Sequence, residues 1–476
     1  MFGLMIVVFV LGYAAIALEH PLKVNKAATA LLVGVLTWTI YIVSSSDILS
    51  LGFSPSWLAI QDKASDITNY IVPIFSGEAF EKSSWNEVIE LSKSTSHFVG
   101  YELEHHLIEI AEILFFLLGA MTIVETVDQH QGFKVLTDRI NTTSKVKLLW
   151  ILSFIGFFMS AVLDNLTTTI VMVALLRKLV DDKQTRWFFA SMIVLAANAG
   201  GAWSPIGDVT TIMLWVQGQI TALPIVKDVF LPSLVCMVAP LSILSFTMKG
   251  TISKPKVDEK AKQYTTRKEQ VLILCLGVGA LLFVPVFKSI THLPPYMGML
   301  FGLGVLWVVT EIMHKNKTDE YKSKLAIFSI LRKIDTATIL FFLGILTAVA
   351  SLQSAGHLAI LANWLDNATN NNIYVINLAI GILSSVIDNV PLVAGAMGMY
   401  PIADGVFAVD GYFWQFLAYC AGTGGSILII GSAAGVAAMG MEKIDFIWYM
   451  KRISLLALVG YLAGAAVYFL QVQFLF

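Results

Sequence analysis

The chain has 476 residues, of which 57% are hydrophobic and only 13% are charged, and its mean hydropathy is +0.76. Soluble domains carry about 25% charged residues, so this composition excludes an ordinary soluble protein and indicates one integrated, polytopic membrane domain. The net charge of −2 and three cysteines in apolar stretches predict neither a nucleic-acid partner nor a disulfide framework.

Apolar stretches recur along the whole chain, and a membrane span needs roughly 20 such residues. Residues 1–18 lack a basic n-region and a small-residue cleavage site, so they are interpreted as a first span and not as a cleaved signal. The stretches 187–217 and 412–440 are too long for one straight helix, and each contains Gly-Gly. Each is therefore predicted to form two half-helices around an unwound middle. The predicted full spans are about 2–18, 27–43, 107–126, 187–217, 226–247, 270–288, 297–314, 337–353, 412–440 and 453–474.

Two further apolar stretches, 148–180 and 373–402, are each interrupted near the centre by Asp-Asn. Asp164-Asn165 and Asp388-Asn389 lie 224 residues apart, and the same offset aligns 198–208 with 422–432. One constant register over two separate motifs indicates gene duplication. Polar, Gly-interrupted segments in corresponding positions of two halves are typical of a transporter's binding site.

The distribution of Lys and Arg predicts the topology. Loops 177–186, 248–268 and 315–333 are basic, whereas 354–372 and 403–411 carry no Lys or Arg and 44–106 is mostly acidic. Each Asp-Asn stretch could be two spans or one re-entrant hairpin. If both are hairpins, all basic loops are cytoplasmic, both termini are external, and the hairpins enter from opposite sides.

The predicted fold class is therefore an all-α polytopic membrane protein with inverted-topology repeats, each containing a re-entrant hairpin and a broken helix. It has about 10 full spans plus 2 hairpins. The predicted division is 1–106 for N-terminal scaffold spans and an external loop, 107–217 for repeat 1, 218–336 for scaffold spans and cytoplasmic loops, 337–440 for repeat 2, and 441–476 for a C-terminal span.

The polar groups of these motifs suit a small alkali cation. Broken helices leave free N–H and carbonyl groups, which in hydrocarbon must be satisfied by protein, water or a ligand. Carboxylate, amide and hydroxyl oxygens make a hard cage, and the thiolate and imidazole ligands that softer metals prefer are absent from the motifs. We therefore expect a transported cation and no cofactor.

The first half holds more cation-binding groups than the second. At the 224-residue offset, Asp208 corresponds to Ser432 and Asn198 corresponds to Gly422. The main ion site is therefore placed in the first half, closed from the other side by the second Asp-Asn pair. Its predicted centre is Asp164, Asn165, Asn198 and Asp208, with Asp388 and Asn389 opposite.

Protons and a cation should compete for these carboxylates, because three of them cannot all stay ionised in a low-dielectric environment without a cation. That competition is by itself an exchange mechanism, and the hypothesis is that Asp164 and Asp208 are the exchanging groups. Glu109 and Glu112 lie one turn apart on one face of a predicted span, just after His105. They could form a proton entry path or a structural polar cluster at the membrane surface.

In the segments 160–169, 198–211, 384–391 and 422–439 the chain resembles the NhaD-type sodium/proton antiporters of the ion transporter superfamily. The resemblance implies exchange of cytoplasmic Na⁺ or Li⁺ for external H⁺ in a bacterial inner membrane, which gives pH homeostasis and salt tolerance, and a homodimer whose transport domains move as elevators. It also implies functional roles for Asp164, Asn165, Thr167, Asn198, Asp208, Thr210, Thr211, Asp388, Asn389, Thr423 and Ser426, and for His105 and Glu112 outside these segments.

Other carriers of the same superfamily are the alternatives. A dicarboxylate or other organic anion would be repelled by Asp at both hairpin tips, whereas neutral arsenite is harder to exclude. A channel is disfavoured because inverted repeats with half-helices suit alternating access. An enzyme is not expected, since the sequence carries no HExxH, GxSxG or nucleotide-binding loop.

Overall fold

A computed structural model describes residues 1–17, 23–68, 82–133, 135, 142–252, 265–315, 317, 325–386 and 388–474, without the side chains of 66–68, 82–87 and 178. Its helices are α1 Phe2–Ala17, α2 Lys26–Val43, α3 Ser45–Leu49, α4 Pro55–Thr68, α5 Lys82–Lys93, α6 Thr95–Gln129, α7 Lys145–Leu163, α8 Asn165–Leu179, α9 Lys183–Ala202, α10 Val209–Val216, α11 Ala222–Thr247, α12 Arg267–Thr291, α13 Pro295–His314, α14 Ile327–Leu331, α15 Thr336–Ser354, α16 His357–Thr369, α17 Ile373–Leu383, α18 Asn389–Met399, α19 Tyr412–Gly424, α20 Ala433–Glu442, α21 Phe446–Arg452 and α22 Ser454–Phe474.

The helices confirm the predicted fold class of an all-α polytopic membrane protein. Among the described residues, eight helices are long and apolar enough to cross a membrane, namely α2, α6, α7, α11, α12, α13, α15 and α22, and four shorter apolar helices accompany them. Seven of the eight match predicted full spans. The eighth, α7, is the first arm of the first Asp-Asn stretch, and its 19 residues extend about 28 Å. The re-entrant and inverted arrangement stays a prediction.

The segment 44–106, expected to be a polar loop, contains α3, α4, α5 and the first turns of α6. Apolar residues of these helices, such as Leu91, Phe98 and Val99, are buried. The connection is therefore helical, and its external position stays a prediction. Residues 69–81 of this segment, and 253–264, 316 and 318–324 of the two basic loops, lie outside the described part of the chain.

The chain divides into two compact units, and the first comprises Met1–Leu114, Thr336–Asn372 and Ala394–Pro401. Its centre is the crossing of α2 and α15, where a Cβ added to Gly34 would lie 2.7 Å from the carbonyl oxygen of Gly344. Trp38 Nε1 donates to the Thr347 carbonyl at 2.8 Å in the same interface. Small residues let the two backbones approach, as is typical of membrane helix pairs.

The second unit comprises Phe115–Asp335, Ile373–Val393 and Ile402–Phe476. In it α22 packs along α11 through Gly460 and Gly464, where an added Cβ would collide with the carbonyl oxygens of Cys236 and Pro232. Those backbone contacts require glycine, so this small-xxx-small pair holds two helices of the same chain together.

Four helix breaks of the second unit surround its polar centre. They separate α7 from α8, α9 from α10, α17 from α18 and α19 from α20. Corresponding contacts recur at the 224-residue offset: Ser160 Oγ donates to the Ala197 carbonyl at 2.6 Å, and Ser384 Oγ donates to the Ala421 carbonyl at 2.9 Å. The breaks therefore bring chain segments from both halves to one place.

Candidate functional site

Asp164 separates α7 from α8 and caps the second helix. Its φ of 91° lies in a region that residues with a side chain rarely adopt. The carboxylate accepts from the backbone N–H and the hydroxyl of Thr167, each at 2.8 Å. These hydrogen bonds satisfy free donors of the first turn and hold the backbone in its strained conformation.

Asp208 is the N-cap of α10 and is almost completely buried, with 1% of its surface exposed. Its Oδ1 accepts from the backbone N–H of Thr210 at 3.0 Å, and the hydroxyl of Thr211 donates to its carbonyl at 2.9 Å. Its Oδ2 accepts from Asn165 Nδ2 at 2.7 Å. Carboxylate, backbone and amide groups thus meet at the end of a broken helix, where the N-terminal dipole favours negative charge.

Asn198 connects this carboxylate to the second half of the chain. Its Oδ1 accepts from Asn165 Nδ2 at 3.0 Å, and its Nδ2 lies 2.9 Å from the hydroxyl oxygens of both Ser426 and Ser432. Asn389 Nδ2 lies 3.5 Å from both carboxylate oxygens of Asp208. We call Asn165, Asn198, Asp208, Asn389, Ser426 and Ser432 the Asp208 network.

The other predicted residues surround this network in supporting positions. Asp164 and Asp388 are close enough to Asp208 to interact with it electrostatically. Asp388 Oδ1 lies 3.5 Å from the backbone nitrogen of Val390, in the first turn of α18. The hydroxyl of Thr423 donates to the carbonyl of Tyr419 in its own helix at 2.6 Å, so its hydrogen bond goes to the backbone and not to the network.

Ser432 is the network member that the sequence did not identify. It is buried and is the N-cap of α20, as Asp208 is of α10. The 224-residue offset already paired the two positions, but the missing carboxylate was interpreted as a lost ligand. The available signal was that Ser, Asp and Asn share the ability to cap a helix after a break.

The network offers oxygen and amide groups to a cation. Within the described residues, no group of three or more His, Cys, Asp or Glu is arranged to hold a metal ion. The described partners of the Asp208 carboxylate are side-chain amides and a backbone N–H, with no Lys, Arg or His among them. Hard oxygen ligands suit an alkali cation or a proton better than a soft metal.

His105, Glu109 and Glu112 lie on α6, in the first unit. His105 Nε2 is 3.6 Å from Glu109 Oε1, and these side chains are 57% and 40% exposed. The more buried part of the cluster is His106, whose Nδ1 lies 3.2 Å from Glu109 Oε2 and whose Nε2 lies 3.9 Å from Glu102. The spacing along one helix therefore produces a real polar cluster, and its role as a proton path stays a prediction.

Known proteins resemble this chain over most of its length. The model of the family described as "Citrate transporter" matches residues 6–416. The chain is 46% identical over 466 residues to "Sodium/proton antiporter 1" of Arabidopsis thaliana, covering 98% of this chain and 71% of that protein. It is 47% identical to "Sodium/proton antiporter 2" of the same plant, covering 80% of this chain and 90% of that protein. It is 32% identical to "Na(+)/H(+) antiporter NhaD" of Alkalimonas amylolytica, covering 76% and 78% of the two chains.

Proposed function

Because the chain belongs to the citrate transporter family and, within it, to the NhaD-type sodium/proton antiporters, we propose that it exchanges Na⁺ for protons at the Asp208 network. It is a multi-pass membrane transporter and not an enzyme. The transported ions are substrates, and no cofactor is indicated.

The observation that carries the proposal is the buried carboxylate of Asp208 among amide donors from both halves of the chain. A carboxylate inside a membrane protein without a basic partner needs a proton or a cation to neutralise it. The amides of Asn165 and Asn389 each offer an oxygen as well as an N–H. A cation binding at the carboxylate would therefore displace a proton, and a proton would displace the cation.

Citrate or another organic anion is a weaker candidate, although the family is described as citrate transporters. Asp164, Asp208 and Asp388 would face such an anion with like charge. Like charges that approach in a low-dielectric environment cost several kcal/mol. Arsenite is neutral and escapes this argument, but the named sodium/proton antiporters among the relatives favour Na⁺.

Finer features belong to the same proposal. Li⁺ replaces Na⁺ at the site, the protein is a homodimer with elevator-type alternating access, and His105, Glu109 and Glu112 conduct protons. It lies in a bacterial inner membrane with both termini external, exports cytoplasmic Na⁺ against external H⁺, and supports pH homeostasis and salt tolerance. The loop charges support the orientation, and the family resemblance supports the rest.

Proteoliposomes with an imposed proton gradient and an internal pH-sensitive dye test the function. Adding Na⁺, Li⁺ or K⁺ at several pH values should give a dye response to Na⁺ or Li⁺ that is lost in Asp208→Asn. Asp182→Asn is the matched control, because Asp182 also caps a helix but is exposed. No response of the unmodified protein to any alkali cation would reject the proposal and leave arsenite and organic anions as substrates to test.

A further inference from the structure

The same unit holds a buried carboxylate outside the Asp208 network that, unlike Glu442, has no arginine among its described partners. Asp228 belongs to the second turn of α11, and only 9% of its surface is exposed. Its Oδ2 accepts from Gln415 Nε2 at 2.9 Å, while its buried Oδ1 has no hydrogen-bond partner among the described residues. One amide is a small compensation for an ionised carboxylate in the interior of a membrane protein.

The groups around Asp228 are polar and uncharged. Tyr468 on α22 donates its hydroxyl to Gln415 Oε1 at 3.1 Å, which orients the Gln415 amide so that its nitrogen faces the carboxylate. Tyr468 also interacts electrostatically with Asp228, and the other titratable groups around Tyr468 are Tyr374 on α17 and Tyr412 and Cys420 on α19. On α11 itself the neighbouring Lys227 is exposed, and the carboxylate of Asp410 caps the exposed Thr221.

Unsatisfied oxygens also occur on two other helices of the same unit. Asn377 Oδ1 on α17 and Gln471 Oε1 on α22 are buried without a hydrogen-bond partner among the described residues. Pro232 follows Asp228 by four residues, so α11 lacks the N–H that would bind the Asp228 carbonyl. A buried acceptor without a donor is costly, so the Asp228 carboxylate and its free backbone carbonyl are suited to a positive charge or a proton.

We propose that Asp228 is a second proton-binding site of the transport cycle, separate from the Asp208 network. The inference rests on the proposed sodium/proton exchange. The site is coupled to the network through α19, since Gln415 lies in its first turn and Ser426, the acceptor of Asn198, lies just beyond its last turn.

Infrared difference spectroscopy on the reconstituted protein tests protonation directly. A pH jump should reveal a carbonyl band of a protonated carboxyl that is lost in Asp228→Asn and kept in Asp228→Glu and in the exposed control Asp182→Asn. In Gln415→Met the band should persist at a shifted frequency, because the carboxyl remains but its amide donor is removed. This second variant keeps the test valid if Asp228→Asn fails to fold. Identical carboxyl bands in unmodified protein and Asp228→Asn, or in unmodified protein and Gln415→Met, would overturn the proposal.

The proton-to-sodium ratio tests the role in transport. Measured under an imposed membrane potential, the ratio should fall in Asp228→Asn and return in Asp228→Glu, while the exposed control Asp182→Asn leaves it unchanged. An unchanged ratio in an Asp228→Asn protein that still exchanges Na⁺ would reject Asp228 as a site of the cycle. Absence of exchange in the unmodified protein would instead reject the proposed function, and the infrared test of Asp228 would still be decisive for its protonation.

Discussion

The helix break between α9 and α10 and the break between α19 and α20 share a backbone arrangement and differ in chemistry. In the first, an added Cβ at Gly207 would lie 2.9 Å from the Ser160 carbonyl oxygen, and in the second an added Cβ at Gly431 would lie 2.6 Å from the Ser384 carbonyl oxygen. The residue that follows each glycine caps the next half-helix. That residue is Asp208 in the first break and Ser432 in the second.

This difference shows which positions of the duplicated unit are constrained by packing. A position where two backbones touch accepts only glycine, so it has to keep the same residue in both halves. A capping position accepts Ser, Thr, Asp or Asn, so a carboxylate can become a hydroxyl without loss of the helix end. Asn198 then joins the two different caps, with Asn165 between it and Asp208.

The largest loss of exchange is expected at the capping position, Asp208, where the two breaks differ most. Asp208→Asn keeps the helix cap but removes the only carboxylate of the network. The network then has no negative charge to attract a cation and no carboxylate to take up a proton. We expect Na⁺-dependent proton movement in liposomes to fall at least about a hundredfold, or about 2.7 kcal/mol. Asp182→Asn should stay near the unmodified rate, and comparable loss in both variants would contradict the assignment.

The next largest effect is a loss of stability at the two glycines where the breaks share close backbone contacts. Gly207→Ala and Gly431→Ala should each destabilise the protein by about 1–3 kcal/mol, because the methyl group meets backbone atoms that have nowhere to move. Thermal unfolding of the detergent-purified protein measures this, and Gly440→Ala, whose Cβ meets nothing within 4 Å, is the control. If only one of the two glycines were sensitive, the breaks would not be equivalent.

Asn198 links the two helix breaks, so replacing it should weaken transport while the charge of Asp208 remains. Asn198→Ala leaves Asp208 in place but deletes one acceptor of Asn165 and both donors to the serines. We expect the Na⁺ concentration for half-maximal exchange to rise roughly tenfold, which corresponds to the loss of one or two buried hydrogen bonds. A change in maximal rate alone, at unchanged apparent affinity, would argue against a role in ion binding.

The smallest effect is expected at the cap that carries no charge. Ser432→Ala removes one acceptor of Asn198 and the cap of Gly435 N–H, a loss of about 1 kcal/mol. Exchange should fall by only a few-fold, and Ser432→Asn should restore it because asparagine caps equally well. A loss of exchange as large as that of Asp208→Asn would mean that Ser432 contributes as much to ion binding as Asp208 does. Sodium-dependent exchange, titrated over Na⁺ concentration, separates these outcomes.

The polar centre was largely predictable because its residues interrupt apolar runs. Asp164, Asn165, Asp208 and Asn389 stand where a span cannot continue as a regular helix, and a polar group there is costly unless it serves binding. Ser432 could not be selected on that ground, since a serine beside glycine and alanine is unremarkable in a membrane helix. Asp228 lies near the start of α11, where the sequence does not distinguish an interfacial carboxylate from the buried one that the structure shows.

The membrane fold class, the positions of most spans and the four helix breaks follow from the sequence, because each depends on local composition and periodicity. Which polar groups meet is visible only in the packed fold. Asn198 reaches Ser432 across 234 residues, and Gln415 reaches Asp228 across 187. Such pairs depend on how helices pack against one another, and the order of residues along the chain does not give the distances between helices. Helix packing therefore determines which hydrogen bonds form. The cost of burying a polar group can be estimated from the sequence, because it depends on the apolar residues around that group.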